Sequence, residues 1–172
     1  MDEYPDTREV SPYVGLTYDF SRDLLGYVSY SDIFQNQDQL DVNGRFLAPM
    51  KGVNIEAGLK AEWFGRKLLT TLAVFGAQQK GLATYAGTFT SGPRNGQYYY
   101  SATDAESKGV ELEATGRIGR DTRVALGVTH LDLSVPSAHD NPWVPRTTVN
   151  LRIDGGVDAL PGLKLGIGGR WQ

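Results

Sequence analysis

Gly52-Val53-Asn54-Ile55-Glu56-Ala57-Gly58-Leu59-Lys60-Ala61-Glu62-Trp63 is the stretch whose reading decides the fold. Ile55, Ala57, Leu59, Ala61 and Trp63 are apolar, and the residues between them are polar, charged or small. Successive side chains of a strand point to opposite faces, so the stretch predicts a strand with one greasy face and one wet face. A helix would put Glu56, Lys60 and Trp63 on one stripe and scatter the apolar residues, so the helical reading fails. Two settings fit such a strand. A soluble sheet turns the apolar row into a core, whereas a transmembrane barrel turns it to lipid and its charges to a hydrated interior.

The same pattern recurs along the chain. Working outward from residues 52–63, alternation predicts strands over about 12–20, 24–34, 68–78, 106–117, 122–131, 145–153 and 163–171. The connections alternate in length. Short turns such as Ser21-Arg22-Asp23, Gly65-Arg66-Lys67 and Gly119-Arg120-Asp121 separate long polar connections expected over 35–51, 82–105 and 132–144. A soluble meander has no reason to gather its long loops on one rim. An outer-membrane barrel does, with short periplasmic turns and longer extracellular loops. The polar row is repeatedly charged, at Glu56, Lys60, Glu62, Glu111, Glu113, Arg152, Lys164 and Arg170, and along the chain both signs look interleaved.

Composition narrows the classes further. The 172 residues carry a formal charge of −3, which gives no basic footprint, so nucleic acid is not an expected partner. There is no cysteine, hence no disulfide framework and no thiolate metal site. No apolar run is long enough for a helical membrane span, a limit that does not touch barrel strands. Nine tyrosines, six phenylalanines and three tryptophans beside 21 glycines suit a β protein with tight turns and interfacial aromatics. The acidic start, Met1-Asp2-Glu3-Tyr4-Pro5-Asp6, has no apolar segment of signal-peptide type.

Five segments in register resemble the C-terminal half of TonB-dependent ferric-siderophore receptors. They are Ser11-Pro12-Tyr13-Val14-Gly15-Leu16-Thr17-Tyr18-Asp19, Tyr27-Val28-Ser29-Tyr30-Ser31-Asp32-Ile33-Phe34, residues 52–64, Lys108-Gly109-Val110-Glu111-Leu112-Glu113 and Gly168-Gly169-Arg170-Trp171. The resemblance implies an all-β, antiparallel up-and-down transmembrane β-barrel of about 22 strands around a plug domain. Residues 1–172 would form a partial barrel domain of about eight strands, with the plug, the N-terminal strands and the terminal strand outside it. It implies uptake of a ferric siderophore at the bacterial outer membrane, with outer-membrane lipid, the plug and the TonB energy-transducing complex as partners. Iron would arrive already chelated, so no cofactor and no side-chain metal ligand are expected. Two rivals stay open: a stand-alone eight-stranded outer-membrane barrel with an anchoring role, and a soluble lipocalin-type ligand-binding barrel.

Candidate site residues follow from this. The charged row, Glu56, Lys60, Glu62, Glu111, Glu113, Arg152, Lys164 and Arg170, is expected to face the plug across the lumen. An interfacial aromatic belt is the favoured reading for most rings on the long connections, and Tyr98, Tyr100 and Trp143 are the ones expected to contact ligand at the mouth. His130 and His139 lie near Asp132 and Asp140 but show neither ligand spacing nor a nucleophile–base pattern. They read as solvated residues, and the chain as no enzyme.

Overall fold

In a computed structural model the chain is described over residues 9–135, 144–157, 159–160 and 162–172. It forms an eight-stranded antiparallel meander, each strand paired with the next. The strands are β1 Tyr13–Ser21, β2 Leu24–Gln35, β3 Met50–Trp63, β4 Leu68–Thr88, β5 Tyr98–Ile118, β6 Thr122–Ser134, β7 Thr147–Gly156 and β8 Lys164–Trp171. β1 and β8 are the two edges of the sheet and do not pair with one another. The stand-alone eight-stranded closed barrel is therefore not the architecture.

Register fixes which residues share a face, because partners directly opposite in an antiparallel pair point the same way. Gly58 lies opposite Tyr27 and Ala73, Ala73 opposite Glu111, Glu111 opposite Thr129, and Thr129 opposite Thr148. This face, hereafter the inner one, carries the charged rows of β3, β5, β7 and β8. On the other, outward face Leu59 lies opposite Gly26 and Leu72, Leu72 opposite Leu112, and Leu112 opposite Val128. The outward row is bare: Leu16 is 67 % exposed, Val74 57 % and Ile167 75 %. Among the described residues the buried apolar side chains are Ala73 and Ala105 alone. A lipocalin-type barrel would hide its apolar rows inside, so burial removes that rival too. What covers these rows is hydrocarbon.

The outward band also has the slant that tilted strands require. Its first polar residue toward the long-loop rim is Lys51 on β3, Gln78 on β4, Lys108 on β5 and His130 on β6. Lys51 lies opposite Lys80, Gln78 opposite Glu106 and Lys108 opposite Asp132, so the boundary steps toward the short turns at each successive strand.

One expected connection is largely strand. The sequence pattern predicts a loop over residues 82–105, but β4 runs on to Thr88 and β5 begins at Tyr98, leaving residues 89–97 as the tip. Register shifts between Gln79 and Leu82 and between Tyr85 and Gly87 break the alternation there. Beyond the bilayer, moreover, nothing demands an apolar alternate row. The connection between β2 and β3 packs onto this extension. Gln37 Nε2 donates to Gly81 O at 2.7 Å at the near edge of the hairpin, and Tyr100 N donates to Leu40 O at 2.8 Å at its far edge. The connection crosses the inner face, where Thr103 and Ala105 are buried, whereas Tyr85 and Tyr98 on the outward face are more than half exposed.

Candidate functional site on the inner wall

Tyr27 organises the acidic part of the wall. Its hydroxyl donates to Glu56 Oε1, and Lys60 Nζ lies 5.0 Å from the centre of its ring. The ring can lie flat along the wall because residue 58 is glycine. A Cβ there would come within 2.6 Å of Tyr27 Cε1 and 2.8 Å of Leu72 O, a clash with both ring and backbone. Next to this pair, Thr129 Oγ1 donates to Glu111 Oε1 at 3.0 Å. Glu113 lies one inner position further along β5, opposite Gly127. Small residues, Gly58 and Ala73, separate these groups and leave the carboxylates standing around a shallow floor. Toward the short turns Glu62 is held by Arg66 at 2.8 Å.

From the end of β5 to β8 the sign reverses. Arg117 lies opposite Arg123, Arg123 opposite Asp154, and Arg152 opposite Gly168. Arg170 stands on β8 opposite Asn150, and Lys164 opposite Gly156. Asp154 is the shared counter-ion, 2.5 Å from Arg123 Nη2 and 3.6 Å from Arg152 Nε. The eight charged residues singled out from sequence thus do share one face, and on β3 their signs are interleaved, with Lys60 between Glu56 and Glu62. Across the sheet, Lys60, Arg117 and Asp154 apart, acid predominates on β3 and β5 and base on β6 to β8, a sorting that only the register between strands reveals. Sequence reasoning missed Tyr27, Thr129, Arg117, Arg123 and Asp154. The charge of the last three was visible, but their phase relative to neighbouring strands was not.

At the rim, Tyr98 and Tyr100 stand on the outward side of the hairpin with Tyr85, whose ring lies edge-on to theirs at 5.5 and 6.5 Å. Tyr99 between them points inward and packs on Phe89 at 5.2 Å. Trp143, His139 and Asp140 lie outside the described residues. His130 faces outward with Nδ1 2.8 Å from Thr147 Oγ1. Among the described residues no cluster of His, Cys, Asp and Glu is placed to hold a metal ion. On the connection over the hairpin, Asp41 Oδ1 accepts from the backbone N–H groups of Arg45 at 2.9 Å and Asn43 at 2.8 Å. These bonds, Arg45's first, hold its carboxyl below the usual carboxylate range.

A tilted, edge-to-edge meander with a bare apolar exterior and a charged interior defines a section of outer-membrane β-barrel wall. The chain belongs to the TonB dependent receptor-like β-barrel family, whose model matches residues 2–172. It is 33 % identical over 170 residues to the ferripyoverdine receptor of Pseudomonas aeruginosa, covering 94 % of this chain and 20 % of that protein. To the ferrioxamine B receptor of Salmonella typhimurium it is 32 % identical over 174 residues, covering 96 % of this chain and 24 % of that one. The pyoverdine outer membrane receptor FpvA from P. aeruginosa, solved bound to pyoverdine, superposes with a TM-score of 0.81 at 33 % identity, over 94 % of this chain and 24 % of that one. The chain therefore spans about a fifth to a quarter of the length of these relatives. The family is one of receptors and transporters rather than of enzymes.

Proposed function

We propose that this chain is a wall section of a receptor that takes up ferric siderophores across the outer membrane under TonB control, and that its inner face seats a plug domain. The observation that carries the reading is the inner wall itself, with Glu56, Glu111 and Glu113 on one side and Arg152, Lys164 and Arg170 on the other. A plug with basic groups toward β3 to β5 and acidic groups toward β6 to β8 is held by this wall in one rotational setting. Charges of this kind give orientation more than raw affinity. The iron comes wrapped in its chelator, so the wall needs neither a resident cofactor nor a catalytic group. Chelate contact falls to Tyr99 with Phe89, whose inward side suits a ligand in the lumen, rather than to Tyr98 and Tyr100, which stand outward; Trp143 lies outside the described residues.

The test is iron uptake by cells expressing the receptor that carries this segment, supplied with ferric pyoverdine or ferrioxamine B, with and without TonB. Uptake of one chelate that disappears without TonB supports the reading. In the same cells Glu111→Lys combined with Glu113→Lys should loosen the plug and admit vancomycin. TonB-independent uptake, or unchanged permeability in the folded double variant, contradicts it.

A further inference from the structure

A hollow of about 380 Å³ opens at the short-turn end of the inner face, between the β5–β6 turn and the β7–β8 link. Arg117, Arg123, Asp154 and Lys164 line it, with Asp121 at its edge. Its floor is bare at Gly156, which lies opposite Lys164 and has the Asp121 carboxylate 3.8 Å from where a Cβ would sit. Arg117 stands directly opposite Arg123, and like charges in that register cost a sheet stability. The backbone nonetheless holds Arg117 in place. Gly116 has a φ of +147°, a Cβ on it would collide with Lys67 O, and the Arg117 N–H donates to that same oxygen at 2.6 Å. Counter-charge is short. Asp154 is taken by Arg123 at 2.5 Å and by Arg152 at 3.6 Å, while Arg117 and Lys164 form no ion pair among the described residues. Three cations against two carboxylates leave this lining at +1.

We infer that this hollow is a waypoint for anionic chelates at the periplasmic end of the lumen. A carboxylate of the ferric siderophore is held by the Arg117 guanidinium and the Lys164 ammonium as the chelate leaves. The inference rests on the uptake reading and adds the charge class of the cargo and the stretch of wall it passes. Two cations without a partner share one hollow, and a guanidinium matches a carboxylate with two parallel hydrogen bonds. The volume falls within the range of small-molecule sites, about 300–1,000 Å³, and is more than one acidic side chain of a plug would fill. The position fits as well. Cargo captured beside Tyr99 and Phe89 at the long-loop rim has to pass the short turns to reach the periplasm. Asp121 and Asp154 keep the net charge small, so the site attracts an anion without trapping it, as a step on a transport path requires.

The experiment measures initial rates of radiolabelled iron uptake by TonB-competent cells expressing the receptor that carries this segment. The probes are ferric pyoverdine, whose chelator bears a free carboxylate, and ferrioxamine B, which bears an ammonium instead. Equilibrium binding to the same cells without TonB reports capture at the rim. Arg117→Gln combined with Lys164→Gln should lower the maximal uptake rate of ferric pyoverdine about fivefold or more and leave its binding unchanged. Arg117→Lys combined with Lys164→Arg should keep the rate. Arg22→Gln combined with Lys67→Gln, which takes two charges from other short turns, should alter neither quantity. Losing Arg117 relieves its repulsion with Arg123, so the glutamine variant is expected to fold, and heat-modifiable migration checks this. The inference is overturned if that folded variant transports ferric pyoverdine at the full rate, or if ferrioxamine B is carried instead or slowed equally. It is also overturned if the slowed variant admits vancomycin, because the occupant is then a carboxylate of the plug. Uptake by the unaltered receptor that is absent or independent of TonB is a separate result: it removes the uptake reading, and the inference falls with it.

Discussion

Leu59 stands midway along the outward row of β3, opposite Gly26 and Leu72, and is 45 % exposed on a sheet that has no other cover for it. Replacing it by arginine puts a guanidinium into hydrocarbon near the middle of the band. On lipid-facing barrel positions this costs about 2–4 kcal/mol. At about 1.4 kcal/mol per tenfold, the folding equilibrium falls by a factor of roughly 30 to 1000. Ser29, one strand away, lies on the inner face opposite Glu56. Arginine there meets water and a carboxylate, and an exposed pairing of that kind changes stability by about 0–1 kcal/mol. Equilibrium folding of the receptor into phospholipid vesicles, followed against denaturant, measures both. Leu151→Arg and Asn150→Arg repeat the comparison on β7, where Leu151 is 41 % exposed and Asn150 faces Arg170. If Ser29→Arg and Asn150→Arg cost as much as Leu59→Arg and Leu151→Arg, the two faces are not different solvents and the reasoning is refuted.

Other outcomes follow from single contacts. Gly58→Ala drives a methyl group into Tyr27 and Leu72 O, so the hydroxyl bond to Glu56 is lost with the ring's position. A loss of about 1–3 kcal/mol is expected in the same folding assay, and Tyr27→Phe, which keeps the ring, should cost about 1 kcal/mol. Asp154→Asn leaves Arg123 and Arg152 facing each other across a weaker acceptor. Because Arg123 is more than half exposed, the cost is held to about 1 kcal/mol or less, and it should shrink in high salt. Asp41 has a depressed carboxyl, so its hold on the loop is complete above the ordinary carboxylate value and is lost as pH falls through its lowered one. Hydrogen exchange at the Tyr100 amide, which donates to Leu40 O next to Asp41, should accelerate below that point relative to the intrinsic rate. In Asp41→Ala it should be fast at neutral pH already.

What could be read from the chain beforehand was whatever lipid imposes on every other position. Leu59, Val74, Leu112, Leu126 and Leu151 announce their strands because water and hydrocarbon sort side chains with period two. The alternating loop lengths gave the rims. Outside the bilayer that pressure ends: residues 79–88 and 98–105 are strand by backbone pairing alone, and two register shifts scramble the little alternation they have. The site was legible only one strand at a time. Glu56 and Arg152 both announce a wet face, yet nothing local tells which wet residue of β3 lies near which of β7. The segregation of acid from base, the ring of Tyr27 lying over Gly58, and the inward turn of Tyr99 between two outward tyrosines all depend on register.

With no cysteine in the chain, single cysteines can be placed one by one at residues 54–63 and spin-labelled in the membrane-inserted receptor. Collision with oxygen, which partitions into lipid, and with a water-soluble nickel chelate then maps the solvent at each position. Labels at 55, 57, 59 and 61 should respond to oxygen, and those at 54, 56, 58, 60 and 62 to the chelate or to neither where the plug covers them. A profile without that alternation, or with its phase inverted, would contradict the assignment of lipid to one face and a hydrated lumen to the other.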